Sequence, residues 1–282
     1  MEQINFSREP LGNCSIKSCL ILFHSSHLYM VNFTSIFQIT YKEPSTICCR
    51  ALLKTRMALL IPQRMLNGIL LRFPILYRTK FINYESYLAD PSDASKELLE
   101  RLNSVLEIEG DVIECGSARC GTTAIMAKHL KDKLVRKKVY ACDLFGGGFD
   151  KTELANERKM GLTDVGDNPF TYNSYQYVVK KLSALGLSEY VVLVKGLFQD
   201  TLPNLGSKFC FCLVDCDLKS SMSFCAETIW RKLCSNGLMV FDDYRDPHFK
   251  GAKLAIEEFV TKYDSCISEH GLLKRLYYVK KK

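Results

Sequence analysis

The sequence predicts an α/β fold: a doubly wound, mostly parallel sheet with helices on both faces. Three observations carry this reading. From residue 85 onward, short apolar runs alternate with longer stretches of helical period. Four of the apolar runs end in acidic residues, at Glu114, Asp143, Asp215 and Asp242-Asp243. The first run opens a glycine-bearing turn, residues 116–121, that leads into a helix.

Each element has its own justification. Asp93-Ala94-Ser95-Lys96-Glu97 starts a helix, with Ser95 or Asp93 as its cap. Leu98, Leu99, Leu102, Val105 and Leu106 recur at helical spacing and form its apolar face. Glu109-Gly110 turns the chain into a short buried strand, Asp111–Cys115. A helix over 122–130 follows, then a strand over 138–142. Residues 144–171 read as a long polar loop that carries Gly146-Gly147-Gly148. A helix over 172–185 stops at Gly186, and strands follow at 190–194 and 209–214. A helix over 223–233, a strand over 238–241, a helix over 250–263 and a strand over 273–279 complete the pattern.

The acidic strand ends matter because of where a parallel sheet puts them. All parallel strands point their carboxyl ends at one edge, and ligands bind there. Neighbouring strands lie about 4.8 Å apart, so these carboxylates gather at one rim. Crowded carboxylates repel unless a cation or donors join them. The rim therefore suits a ligand with hydroxyls, a sulfonium or ammonium, and a metal. Asp143 stands 22 residues beyond Gly121 and suits a ribose diol, although it also fits a helix cap or turn. The Gly116-to-Gly121 spacing is too sparse for a dinucleotide fingerprint.

Charge and composition exclude other classes. Of the 282 residues, 47% are hydrophobic and 24% charged, which rules out a disordered or many-span membrane chain. The net charge of +7 is uneven. Residues 44–84 hold seven basic side chains and no acidic one, and residues 85–282 are neutral overall. A neutral main domain argues against nucleic acid as a partner, since phosphate contact needs a basic face. The 13 cysteines are odd in number and form no C-x-x-C pair, so free thiols in a reducing, cytoplasmic compartment are expected.

The chain divides into an N-terminal extension, residues 1–84, and a main domain, residues 85–282. Residues 18–41 lack charge, but ten of these 24 are polar, too many for an integral membrane span. Residues 57–82 set single arginines among apolar clusters broken by Pro62, Gly68 and Pro74. Two readings stand for residues 44–84: a weak peripheral membrane contact or targeting segment, and short helices packed on the main domain with snorkelling arginines. Met57 is a second candidate start, with residues 1–56 then outside the native chain. The extension is expected to cover the rim as a lid or as a homo-oligomer contact.

Five blocks, taken in order, resemble a known family. Residues 110–116, Gly121-Thr122-Thr123 and Cys142-Asp143-Leu144-Phe145 resemble the first two motifs of class I S-adenosylmethionine methyltransferases. Residues 195–203, Val214-Asp215-Cys216-Asp217-Leu218 and the segment from Gly237 to Asp242-Asp243-Tyr244 resemble the macrocin O-methyltransferase family, which acts on sugar hydroxyls. The resemblance covers residues 85–280. It implies a seven-stranded Rossmann-like sheet whose final strand, 273–279, is antiparallel.

It also implies roles for residues. Glu114 and Gly116 would hold the methionine moiety of S-adenosylmethionine, with Gly121 and Thr122 at the helix start and Asp143 on the ribose. Asp215 would also contact the cofactor. Asp215, Asp242 and Asp243 would hold a divalent cation, usually magnesium, for which all-oxygen ligands are suited. Asp242-Asp243 alone would equally fit a solvated turn. The implied activity is methyl transfer to a small hydroxylated substrate such as a sugar or other vicinal diol.

The family's basic residue, a histidine in the loop after the second strand, has no match here. That loop offers Asp150, Asp164 and Asp167 instead. His248, five residues past Asp243, and Lys219, two past Asp217, are further candidates for the base. Cys120 stands where relatives often carry glycine, and the triple glycine suggests a mobile lid. Two other functions remain open at this point: a degenerate member that binds without turnover, and a nucleotide-cofactor oxidoreductase, for which a carboxylate cage has no use.

Overall fold

A computed structural model describes residues 19–24, 27–32, 94–166, 170–171 and 173–282. Most of the N-terminal extension lies outside the described residues, and with it the expectations of a lid, short helices or membrane contact. The chain forms two compact units, residues 1–62 and 63–282. In the first, strands β1 (Cys19–His24) and β2 (His27–Asn32) pair antiparallel, from Cys19 opposite Asn32 to His24 opposite His27. No described helix is long and apolar enough to cross a membrane.

The second unit begins its described part with helix α1 (Ala94–Asn103) and strand β3 (Asp111–Cys115). Helix α2 (Gly121–Asp132), β4 (Val139–Asp143) and helix α3 (Lys151–Lys159) follow. Next come α4 (Tyr175–Ala184), β5 (Val191–Lys195), the single turn α5 (Phe198–Thr201) and β6 (Phe209–Val214). Then come α6 (Lys219–Trp230), β7 (Leu233–Phe241), α7 (Lys250–Tyr263), β8 (Ile267–Leu272) and β9 (Tyr277–Lys281).

The expected seven-stranded sheet is present, in the order β5-β4-β3-β6-β7-β9-β8. The first five strands in that order run parallel, and β9 is antiparallel to both its neighbours. The central strands are mostly apolar because both faces are covered. On β3, Val112 joins the core beneath α1, α2 and α4, while Ile113 and Cys115 join the core beneath α6 and α7. The chain enters at β3, moves out to β5, then returns to β6 on the other side of β3. That reversal opens a crevice at the carboxyl ends of β3 and β6, and the rim acids stand beside it.

Two expectations are corrected. The polar loop 144–171 contains helix α3, whose cap is Asp150: its Oδ1 accepts from the amides of Thr152 (3.0 Å) and Glu153 (2.9 Å). Asp150 is therefore committed to a helix terminus. The single strand expected over 273–279 is instead a hairpin, with β8 before it and the turn at residues 273–276. Nine cysteine side chains are described, and all nine are free thiols.

Candidate active site

The turn after β3 is held from two sides. The Gly116 amide donates to Cys142 O at 2.9 Å. Gly116 has φ +92°, and a Cβ there would lie 1.7 Å from Asp215 O. Only glycine lets the ends of β3 and β6 approach this closely. The Ala118 amide donates to Asp143 Oδ2 at 2.8 Å, and the Phe145 amide donates to Asp143 Oδ1 at 2.6 Å. Burial raises the Asp143 carboxyl, and these two amides pull it back.

Glu114 sits behind the turn rather than in the crevice. It is buried, and Thr123 Oγ1 on α2 donates to its Oε2. Burial pushes its carboxyl up to about 8, with Asp143 adding to the rise and Lys181 opposing it. Lys181 is itself fully buried, and its Nζ donates to Arg119 O at 2.9 Å. Gly121 and Thr122 begin α2 and are buried.

A cavity of about 630 Å³ occupies the crevice. Gly116, Asp143, Asp215 and Asp243 line it; Glu114, Gly121, Thr122 and Asp242 do not. Phe149, Phe170 and Phe249 form an aromatic wall, with ring centroids 5.2 Å apart for Phe149–Phe170 and 6.1 Å for Phe149–Phe249. Asn173 also lines the cavity; its Nδ2 donates to Ala118 O, while its buried Oδ1 has no hydrogen-bond partner.

At the far side stands the acid cluster. Asp215, Asp242 and Asp243 can each place one carboxylate oxygen within 4.8 Å of the others. Asp217 adjoins them and titrates near 7, raised first by burial and then by Asp242. Burial and neighbouring carboxylates also raise Asp215 and Asp243 well above the usual range. Asp217 and Asp243 hold left-handed backbone, with φ of 61° and 62°. Such conformations cost about 1 kcal/mol or more for a non-glycine residue, and they cluster at functional sites.

A divalent cation fits this donor set. The ligands are all oxygen, and the buried Asp243 Oδ2 has no hydrogen-bond partner. One carboxylate is already engaged, however. Arg275 forks onto Asp242, with Nε to Oδ1 at 2.7 Å and Nη2 to Oδ2 at 2.6 Å. Arg275 lies in the β8–β9 turn and had no signal in the sequence reading.

The three base candidates separate. His248 and Asp164 come together, Nδ1 to Oδ1 at 2.8 Å, both well exposed. Neither lines the cavity, but Asp246 and Phe249 on either side of His248 do. Lys219 pairs with Glu258 at 2.8 Å and is not in the lining. Asp167 lies outside the described residues. Glu153 and Glu157 were not foreseen either. They reach from α3 to the start of α6, where Glu153 Oε1 accepts from the Ser221 amide at 2.7 Å and Glu157 Oε1 from the Ser220 amide at 3.1 Å.

A parallel sheet with an antiparallel β9, a glycine turn and an acid at the next strand end define a class I methyltransferase. The profile of the macrocin O-methyltransferase family (TylF) matches residues 93–267, more than half of the chain, and the protein belongs to that family. The structure is similar to that of the O-methyltransferase NovP, with a TM-score of 0.59 and 25% identity over 67% of this chain and 79% of NovP. The calicheamicin methyltransferase CalS11 shares the fold, with a TM-score of 0.53 and 17% identity over 77% of this chain and 90% of CalS11. Among curated protein sequences, none matches this chain.

Proposed function

We propose that the protein transfers a methyl group from S-adenosylmethionine to a hydroxyl of a small molecule, a sugar or other vicinal diol, assisted by a divalent cation such as magnesium. The observation that carries this reading is one cavity bordered by Asp143 on one side and by the Asp215–Asp243 cluster on the other. S-adenosylmethionine supplies a methyl carbon made electrophilic by its sulfonium. Asp143 keeps one orientation through its two amide donors, and each oxygen retains a lone pair to accept a ribose hydroxyl. Gly116 lets the backbone approach the cofactor closely. Glu114 acts from behind, fixing the start of α2 through Thr123.

Asp215, Asp242 and Asp243 would hold the cation, which lowers the pKa of a chelated hydroxyl and fixes its approach. The phenylalanine wall suits the apolar face of a sugar or an aromatic ring. For the base we favour His248. Asp164 holds its Nδ1, which leaves Nε2 to take the proton. Lys219, tied to Glu258, has no part in this reading.

The test is transfer of label from methyl-labelled S-adenosylmethionine to neutral sugars and vicinal diols. Transfer should stop with excess chelator and return with magnesium. Full activity in chelator would reject the metal, and a calorimetric titration without S-adenosylmethionine binding would reject the whole reading.

A further inference from the structure

Among the described residues, Arg275 is the one cation in the cavity lining, and it stands where the ion is expected to act. Its fork takes both oxygens of Asp242, a side chain that is 1% exposed. A third contact, 3.9 Å long, reaches Asp243 Oδ1. Arg275 itself is 38% exposed and sits in a turn closed by the Leu273 amide on Leu276 O at 2.7 Å. The register that pairs Phe241 with Tyr277 brings this turn against the end of β7.

The geometry points to Arg275 as a tethered counter-ion that competes with a divalent cation for Asp242. This rests on the metal reading above. A carboxylate held by both oxygens in a guanidinium fork offers a metal only its outer lone pairs. An ion bound there also faces a fixed positive charge at short range, and both effects weaken its binding. Without the ion, Arg275 supplies the positive charge that the crowded acids need. With it, Asp242 is drawn from the fork, and the exposed guanidinium moves toward solvent or the cavity. A merely orienting arginine would act in the opposite sense: it would hold Asp242 ready for the ion, and its removal would weaken binding.

Manganese serves as the probe, its affinity for the full chain measured by electron paramagnetic resonance of the free ion. Arg275→Gln should bind manganese at least tenfold more tightly than the native protein, and Arg275→Lys, which keeps charge but loses the fork, should fall between. In the native protein, the Arg275 Nε–H resonance should leave its hydrogen-bonded position as magnesium is added; this arm needs no variant. Equal or weaker manganese binding by Arg275→Gln, or an Nε–H signal unmoved at saturating magnesium, would overturn the proposal while leaving the metal reading intact. Absence of manganese binding in every form would overturn both.

Discussion

Glu114 and His248 show how single side chains carry testable pH dependence. Glu114 titrates at about 8 in the fold against an ordinary 4.5, chiefly through burial. The folded state thus keeps a proton that the unfolded chain gives up, so this stability is complete below pH 4.5 and lost as pH rises to about 8. The whole loss amounts to roughly 5 kcal/mol. Glu114→Gln keeps the shape without the charge, and its denaturation midpoint should fall less between pH 5 and 8 than that of the native protein. His248 is also raised, by its hydrogen bond to Asp164. A neutral imidazole acting as base makes the rate climb with pH through that raised value. Asp164→Asn should move the midpoint of the kcat/KM profile to lower pH, and an unmoved midpoint would remove His248 from the role. Asp143, Asp215 and Asp243 were legible in sequence because each ends an apolar run, and strand ends have a defined place in a parallel sheet. Arg275 was not: it lies 33 residues from Asp242, and only the antiparallel pairing of β7 with β9 brings them together.

At the scale of elements, α3 and α6 depend on each other. Helix α6 has no side-chain cap of its own. Glu153 fills that place from α3, accepting from the Ser221 amide and from the hydroxyls of Ser220 and Ser221 at 2.7 to 2.8 Å. Glu153→Ala should cost about 1–2 kcal/mol, the worth of a lost helix cap. It should also speed amide hydrogen exchange across residues 151–159, because α3 buries only Leu154 and Glu157 against the rest. Unchanged exchange would mean that Leu154 and Glu157 hold α3 without Glu153. The same facts explain why α3 was missed. Its sequence has almost no apolar face, so tertiary carboxylate contacts rather than periodicity hold it in place. β8 was missed for a related reason. It is the outer edge strand, mostly exposed, and Ser268-Glu269-His270-Gly271 gives no apolar alternation to read. The inner parallel strands β3, β4 and β6, largely buried, left a clear apolar signal, and β5, half-buried at the opposite edge, kept its valine run.

Across the whole molecule, the fold sorts charge in a way that composition hides. The chain carries +7, and the sequence of the main domain reads as neutral. Yet among the described residues the cavity lining holds eight carboxylates, including Asp150, Glu153, Glu157, Asp217 and Asp246, against one cation, Arg275. Several accept backbone amides, among them Asp143 from Ala118 and Phe145, and Asp246 from His248 at 2.8 Å. A bound divalent ion and Arg275 would together offset three negative charges, and burial neutralises part of the remainder, but the excess stays acidic. A phosphate or other anion brought into this space loses its hydration and meets repulsion. Neutral hydroxylated acceptors should therefore be preferred. For a neutral glycoside and its phosphorylated analogue, the analogue should show a KM at least ten times higher, about 1.4 kcal/mol. The gap should narrow with added salt, since part of the field comes from groups near the cavity mouth. A phosphorylated or nucleotide-linked acceptor used with an equal or lower KM would mean that the acids serve the cation and the cofactor alone, with acceptor charge read elsewhere.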